Sequence, residues 1–249
     1  MEKDILIFDI MGYAAHFRKF YTNSSSLTYS VPPRTTLAGL ISAILGIERD
    51  TYYNNFSVDK VDIAVKKNTK TRKILQSVNY MKITKKSEFE FPQNHTQIPF
   101  EMVLGDKGNV SYRIYFSSKD IDIMDELEDR IKTQKCYYTP SLGAAPFNCN
   151  VKYIDRVKGE IKDKKDVIKI ASIIPINKIE NEGIVISEIK MNETMMVKER
   201  MTREFKDGRE IKSVESYIYD ENTNPLPVNL KDKYVKLSYK GIEENILFM

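Results

Sequence analysis

A chain of 249 residues, 41% of them hydrophobic and 30% charged, is long and apolar enough to bury a core unaided, which excludes a disordered or low-complexity protein. Its 39 Lys and Arg against 35 Asp and Glu leave a net charge of +4, too small to point to a partner by itself. Length alone allows one large domain or two small ones, and where the charge lies carries the information.

The opening MEKDILIFDIMG holds Glu2 and Asp4 and runs into an Ile-rich pattern, so Asp4 to Met11 is predicted as a buried strand rather than a secretory signal. No segment approaches the roughly 18 uninterrupted apolar residues of a membrane helix. A cytoplasmic protein without membrane contact is therefore expected. Gly12 marks a turn or a close backbone approach. From Ile10 to Ile47 there is no carboxylate at all, while His16, Arg18, Lys19, Tyr21, Tyr29 and Arg34 fall inside the stretch. Pro32-Pro33 interrupts regular structure and predicts a helix from Arg34 or Thr35. Leu37, Leu40, Ile41, Ile44 and Leu45 form its core stripe and Gly46 its C-terminal cap.

From Ala64 to Ser87 the chain carries Lys66, Lys67, Lys70, Arg72, Lys73, Lys82, Lys85 and Lys86 and no acid, a segment expected to project as an extended hairpin or loop. Pro99 to Leu104 and Asn109 to Phe116, separated by Gly105-Asp106-Lys107-Gly108, carry a hairpin signal. Asp120 to Thr133 offers Ile121, Met124, Leu127 and Ile131 at helical spacing. Cys136 and Cys149 have no Cys or His partner at a metal-binding spacing, so they read as core thiols, and neither a metal site nor a cofactor is expected. The loop Pro140 to Pro146 then leads into a strand through Ile154.

The order strand, helix, strand, strand, helix, strand predicts an α+β fold. It is the ferredoxin-like βαββαβ unit, over residues 1–158, with the projecting β-hairpin inserted at about 64–98. Residues 159–249 hold only β signals, at Val167 to Ile174, Gly183 to Met191, Ser213 to Tyr219 and Tyr234 to Tyr239, and are expected to form a C-terminal β-rich subdomain.

A fold of this kind leaves function open. Cations with interleaved aromatics and hydroxyls suit phosphates, unstacked bases and 2′-hydroxyls, so His16, Arg18, Lys19, Tyr21, Tyr29 and Arg34 are candidate RNA contacts, together with the eight cations of 64–87. The same aromatics also suit simple packing, and the same cations a solvated surface. The start of the helix favours an anion beside Arg34, yet Thr35 or Thr36 equally fits a plain N-cap. Arg200 and Arg203 could reach RNA, but Glu199 and Glu204 beside them equally suit a salt-bridged surface. Catalytic motifs are sparse. His16 with Tyr29, or His95 with a nearby lysine, are the nominal acid–base pairs for metal-independent RNA cleavage, and binding is the favoured reading.

GYAAHFRKFYT, SLTYSVPPRTTLAGLISAILGIERD with its following YY, and YYTPSLGAAPF together resemble the Cas five family, the small RAMP-superfamily subunit of type I CRISPR interference complexes, and most closely its subtype B branch. The resemblance is densest over residues 5–53, returns at 136–154 and is diffuse in the last third. It implies a ferredoxin-like (RAMP/RRM-like) domain with a β-hairpin thumb and a further β region. It also implies a non-catalytic subunit of the Cascade complex in antiviral defence, which caps the 5′ handle of the crRNA. Its partners would be that RNA and the backbone and large subunits, with target DNA near the PAM end as a further candidate. A relative in another subtype is an endoribonuclease with a tyrosine, lysine and histidine set, and here no lysine–histidine pair stands out: Asn94 precedes His95 and Ala15 precedes His16.

Overall fold

The computed structural model describes residues 2–164 and 166–249. The N-terminal apolar run is β1 (Glu2–Gly12), followed by three short strands, β2 (Ala14–Ala15), β3 (Phe17–Arg18) and β4 (Thr28–Tyr29). α1 (Arg34–Leu45) begins directly after the proline pair and ends where Gly46 takes the left-handed conformation at φ 80°. The five apolar residues of the expected stripe are all buried. β5 (Val61–Lys67), β6 (Thr71–Met81), the one-turn α2 (Lys86–Glu90), β7 (His95–Gly105) and β8 (Val110–Ser118) come next. α3 (Ile121–Thr133) follows, its first turn capped by the Asp120 carboxylate, which accepts from the amides of Asp122 and Ile123. After β9 (Asn150–Lys162) every longer element is a strand: β10 (Ile168–Ile170), β11 (Ile174–Pro175), β12 (Ile179–Ile184), β13 (Met196–Phe205), β14 (Ile211–Asp220), β15 (Leu226–Leu230), β16 (Tyr234–Tyr239) and β17 (Ile242–Ile246).

The main sheet has the order β17-β16-β9-β1-β8-β5, with each neighbouring pair antiparallel. Successive residues of a strand face opposite sides. Leu6, Phe8 and Ile10 of β1 therefore meet α1 and α3, while Ile5 and Ile7 pack with Tyr115, Val235, Leu237 and Ile246 on the other face. A strand covered on both faces must be apolar at consecutive positions, and that accounts for the unbroken ILIF run. β13 and β14 send Met201, Tyr217 and Tyr219 into the same core as α1, and β16 and β17 extend the main sheet beyond β9.

The hairpin differs from the expected one. Val61, Ile63 and Val65 point into the core, so β5 belongs to the main sheet, and the projection begins at Thr71. Its second arm is β7, paired to β6 from Thr71 with Gly105 to Met81 with His95. Pro99–Leu104 is thus not the hairpin partner of 109–116: β8 is fully apolar on its inward positions and sits between β1 and β5 instead. In the C-terminal third, β13, β15 and β17 went unexpected, and the expected strand at 183–191 is the end of β12 followed by a 3-10 turn at Ile186–Glu188. Cys149 is buried and Cys136 half-buried, both as free thiols. No described helix is long and apolar enough to cross a membrane.

Candidate nucleic-acid interface

Three stretches far apart in sequence converge beside the hairpin. Residues 13–30 loop out from β1 and are fastened on both sides. Ala14 and Ala15 pair with Leu104 and Val103 of β7, and Phe17 and Arg18 pair with Tyr29 and Thr28. Ser26 gives its amide to Pro99 O at 2.8 Å and accepts from the Glu101 amide at 2.9 Å. The loop Pro140–Pro146 lies on the other side, where the His16 amide donates to Leu142 O at 3.0 Å. Gly143, at φ 87°, allows this approach, because a Cβ there would stand 1.9 Å from His16 O. Gly12 is the second close approach, with a Cβ position 2.5 Å from Asn148 O. The blocks GYAAHF and SLGAAPF are therefore physical neighbours.

Between these stretches, the N-terminal half of α1 and the β13–β14 turn lies an open cleft of about 680 Å³. Arg18, Phe20, Thr35 and Thr36 line one part of it, Phe205 and Arg209 another, and Tyr80 and Phe100 of the hairpin close the side. No carboxylate lines it. A second cavity of about 750 Å³, beside β16 and β17, mixes Glu160, Asp163 and Glu243 with Lys162, Lys164 and Lys236 and has no such charge bias. The backbone amides at the start of α1 face an end with no side-chain cap: Pro33 holds the cap position, and the amides of Thr36 and Leu37 both turn to Pro33 O. Neither threonine is the N-cap, and both line the cleft.

Four of the candidate RNA contacts are corrected by this geometry, since they lie inside the protein. His16 is 4% exposed and stacks on Phe100 at 4.1 Å. Its Nδ1–H donates to Glu101 O at 2.7 Å, so its Nε2 is the acceptor for the Ser26 hydroxyl at 3.0 Å. Burial pushes its pKa below the usual 6.5, outweighing the Glu101 carbonyl. Tyr29 is buried and its hydroxyl donates to Arg200 O at 2.6 Å. Arg34 is 2% exposed and donates from Nη2 to Val61 O at 2.7 Å. Lys67, also buried, is held by Glu221 and Thr71. All four brace the elements that carry the cleft.

Lys19 is half-buried, its ammonium on Glu199 at 2.7 Å and above the rings of Tyr21 and Tyr29. Lys66 pairs with Glu244, and Lys73 gives a bond of 2.7 Å to Thr28 O. Arg18, Tyr21, Lys70, Arg72, Lys82, Lys85 and Lys86 are exposed. Among the described residues, none of these five hairpin cations is in an ion pair. Exposed aromatics accompany them, Tyr80 in the cleft and Phe89 and Phe91 near the tip. Of the later pair, Arg200 is exposed and Arg203 half-buried, while Glu199 and Glu204 are engaged, with Lys19 and with the Val58 amide at 3.0 Å. The reading of the sequence missed Phe100, Phe205 and Arg209. Asp207-Gly208-Arg209 between two alternating runs was a turn signal that could have placed the last two.

The family described as CRISPR-associated protein (Cas_Cas5) matches residues 5–172, which contain all three converging stretches. The chain belongs to this family. Two solved structures are similar in fold. One, from a CRISPR RNA-guided surveillance complex, is 11% identical, with 90% of this chain and 91% of that chain covered and a TM-score of 0.52. The other, a CRISPR protein from Archaeoglobus fulgidus, is 12% identical over 97% of this chain and 98% of that one, with a TM-score of 0.58. No curated protein matches the chain. For a CRISPR-associated chain, the acid-free cleft is the feature with the chemistry to meet a nucleic acid.

Proposed function

We propose that this chain is the crRNA-binding subunit of a CRISPR effector complex of the Cascade type, that it holds the 5′ handle of the guide RNA, and that it docks the backbone and large subunits. The observation that carries the reading is the cleft beside the hairpin: no carboxylate, guanidinium groups at Arg18 and Arg209, and the rings of Phe20, Tyr80 and Phe100. Cations neutralise phosphates, and aromatic faces stack unpaired bases. The hairpin β6–β7 is the thumb in this reading, and its free cations continue the path of the RNA. A ferredoxin-like core is supported by the strands that flank the two long helices: numbered by appearance without the hairpin, β9, β1, β8 and β5 lie in the order 4-1-3-2. The subtype B placement rests on PPRTTLAGLISAILG and YYTPSLGAAPF.

The role is non-catalytic in this proposal. Both ring nitrogens of His16 are engaged and Tyr29 gives its proton to a carbonyl, so neither group of that pair is free to move a proton. The test is the affinity of the assembled complex for RNA bearing the 5′ handle, measured with the Arg18→Ala, Arg209→Ala double variant. A loss of tenfold or more is expected, and unchanged affinity at physiological salt refutes the cleft as the RNA site. Incubation of the purified chain with labelled repeat RNA in EDTA tests the second claim, for which a discrete product lost on His95→Ala would establish a nuclease.

A further inference from the structure

Beneath the cleft, a small cavity of about 20 Å³ separates the start of α1 from β13. Its walls are the rings of Tyr52, Tyr53, Phe56 and Phe205. Two guanidinium groups from different elements line it, Arg34 and Arg203. The Nε of each is buried and has no hydrogen-bond partner within the protein. Arg34 is 2% exposed. Glu204 is the one carboxylate on the lining, and its oxygens are already engaged by the Val58 amide at 3.0 Å, Lys212 Nζ at 3.4 Å and Ser213 Oγ at 3.5 Å. Buried charged donors in low dielectric without an acceptor are rare in folded proteins, and an ion or a water normally accounts for them.

The volume admits one sphere of about the size of water or slightly larger, which excludes a phosphate group. The charge decides between the remaining occupants. A water molecule satisfies donors but neutralises nothing, whereas this lining carries two guanidinium groups against one committed carboxylate. We propose that this cavity binds a halide-sized monovalent anion, chloride under cellular conditions, held between the Nε–H groups of Arg34 and Arg203. The anion ties α1 to β13, the strand whose Glu199 and Arg200 carbonyl hold Lys19 and Tyr29 of the 13–30 loop. The site does not depend on what the cleft above it binds.

Crystals grown with bromide in place of chloride, measured at the bromine edge, give the direct test. An anomalous peak within hydrogen-bond distance of both Nε atoms is expected, and density there without an anomalous signal identifies water and overturns the proposal. In solution, the thermal midpoint is measured at constant ionic strength while gluconate is exchanged for chloride. For a chain of this size, the midpoint should rise roughly 3–5 °C for each tenfold increase in chloride above its dissociation constant. Arg203→Met should abolish the rise, and Arg209→Ala, at the rim of the cleft, should keep it. A wild-type midpoint indifferent to chloride, or a rise lost equally in both variants, refutes the site. If Arg203→Met does not fold, the bromide measurement on the unaltered chain decides.

Discussion

Replacing Lys67 with methionine should cost about 3–5 kcal/mol and loosen the base of the hairpin. The side chain of Lys67, at the end of β5, is 2% exposed, and its Nζ lies 2.9 Å from Glu221 Oε1. It also donates to Thr71 Oγ1 at 2.9 Å and to Glu221 O at 3.0 Å. Methionine keeps the volume of the stem, so the loss is electrostatic rather than a cavity. What remains is the Glu221 carboxylate, with the Thr71 hydroxyl at 2.9 Å on one oxygen and nothing on the other. The Glu221 side chain is 12% exposed, which lets the stranded charge keep some hydration and places the expected loss near the low end, about 3 kcal/mol. That corresponds to roughly 6–12 °C in Tm. Burial already pulls the Lys67 pKa below its usual value against the attraction of Glu221, so the pair gains less than its short contact suggests. The double variant Lys67→Met, Glu221→Gln should therefore recover most of the loss. Chemical denaturation of the four members of the cycle measures the coupling, and hydrogen exchange over Thr71–Met81 reports the hairpin base. A loss below about 1 kcal/mol for Lys67→Met, or a double variant no more stable than the single one, refutes the assigned role.

Gly143→Ala should destabilise by about 2–5 kcal/mol, the sum of the left-handed penalty and the separation of two backbones, while Gly241→Ala, at φ 76° with nothing within 4 Å, should cost only about 1–2 kcal/mol. Equal losses in urea denaturation would contradict the close approach to His16. For His16, burial lowers the folded pKa, so below 6.5 the unfolded chain takes up a proton that the folded chain resists. Stability should then fall as the pH drops from 6.5, by at most about 1.4 kcal/mol per unit, with Glu101 opposing the shift and Arg18 reinforcing it. A His16→Asn variant should lose this component, and an unchanged pH profile would show that His16 does not carry it.

Local rules were legible where one element decides its own form. The α1 stripe and the Gly46 stop follow from spacing and a backbone preference. The partner of β7 was not legible, since a Gly-Asp-Lys-Gly turn predicts a reversal of the chain but not which strand claims the returning one. β8 goes to the main sheet because Tyr112, Ile114 and Phe116 fill the core under α1, and β7 takes what remains. The strand β13 was hidden because Lys198, Glu199, Arg200, Arg203 and Glu204 dominate its composition, although Met201 supplies an inward position. The candidate site shows the same division. Residues of the acid-free stretch 10–47 line one side of the cleft, but composition did not show which of its cations face out. Whether Arg34 points to solvent or to Val61 O depends on β5 and β13, which no local pattern encodes.

The remaining prediction separates the cleft from the hairpin as sources of affinity. Each phosphate neutralised on single-stranded RNA contributes about −0.7 to the slope of log K against log salt. The cleft offers two guanidinium groups, one of them, Arg209, shared with Asp50 at 2.8 Å, so its own contribution is at most about −1.4. The hairpin adds five exposed and unpaired cations, Lys70, Arg72, Lys82, Lys85 and Lys86, or about −3.5 if all engage. A slope near −5 for the free chain with single-stranded RNA would then mean that both surfaces are occupied together. Arg18→Ala with Arg209→Ala should reduce the slope by no more than about 1.4, and neutralising Lys82, Lys85 and Lys86 at the far end of the hairpin should remove about 2. Should the cleft variant remove most of the slope and the tip variant none, the RNA would not follow the hairpin, and its cations would be left to an acidic protein partner.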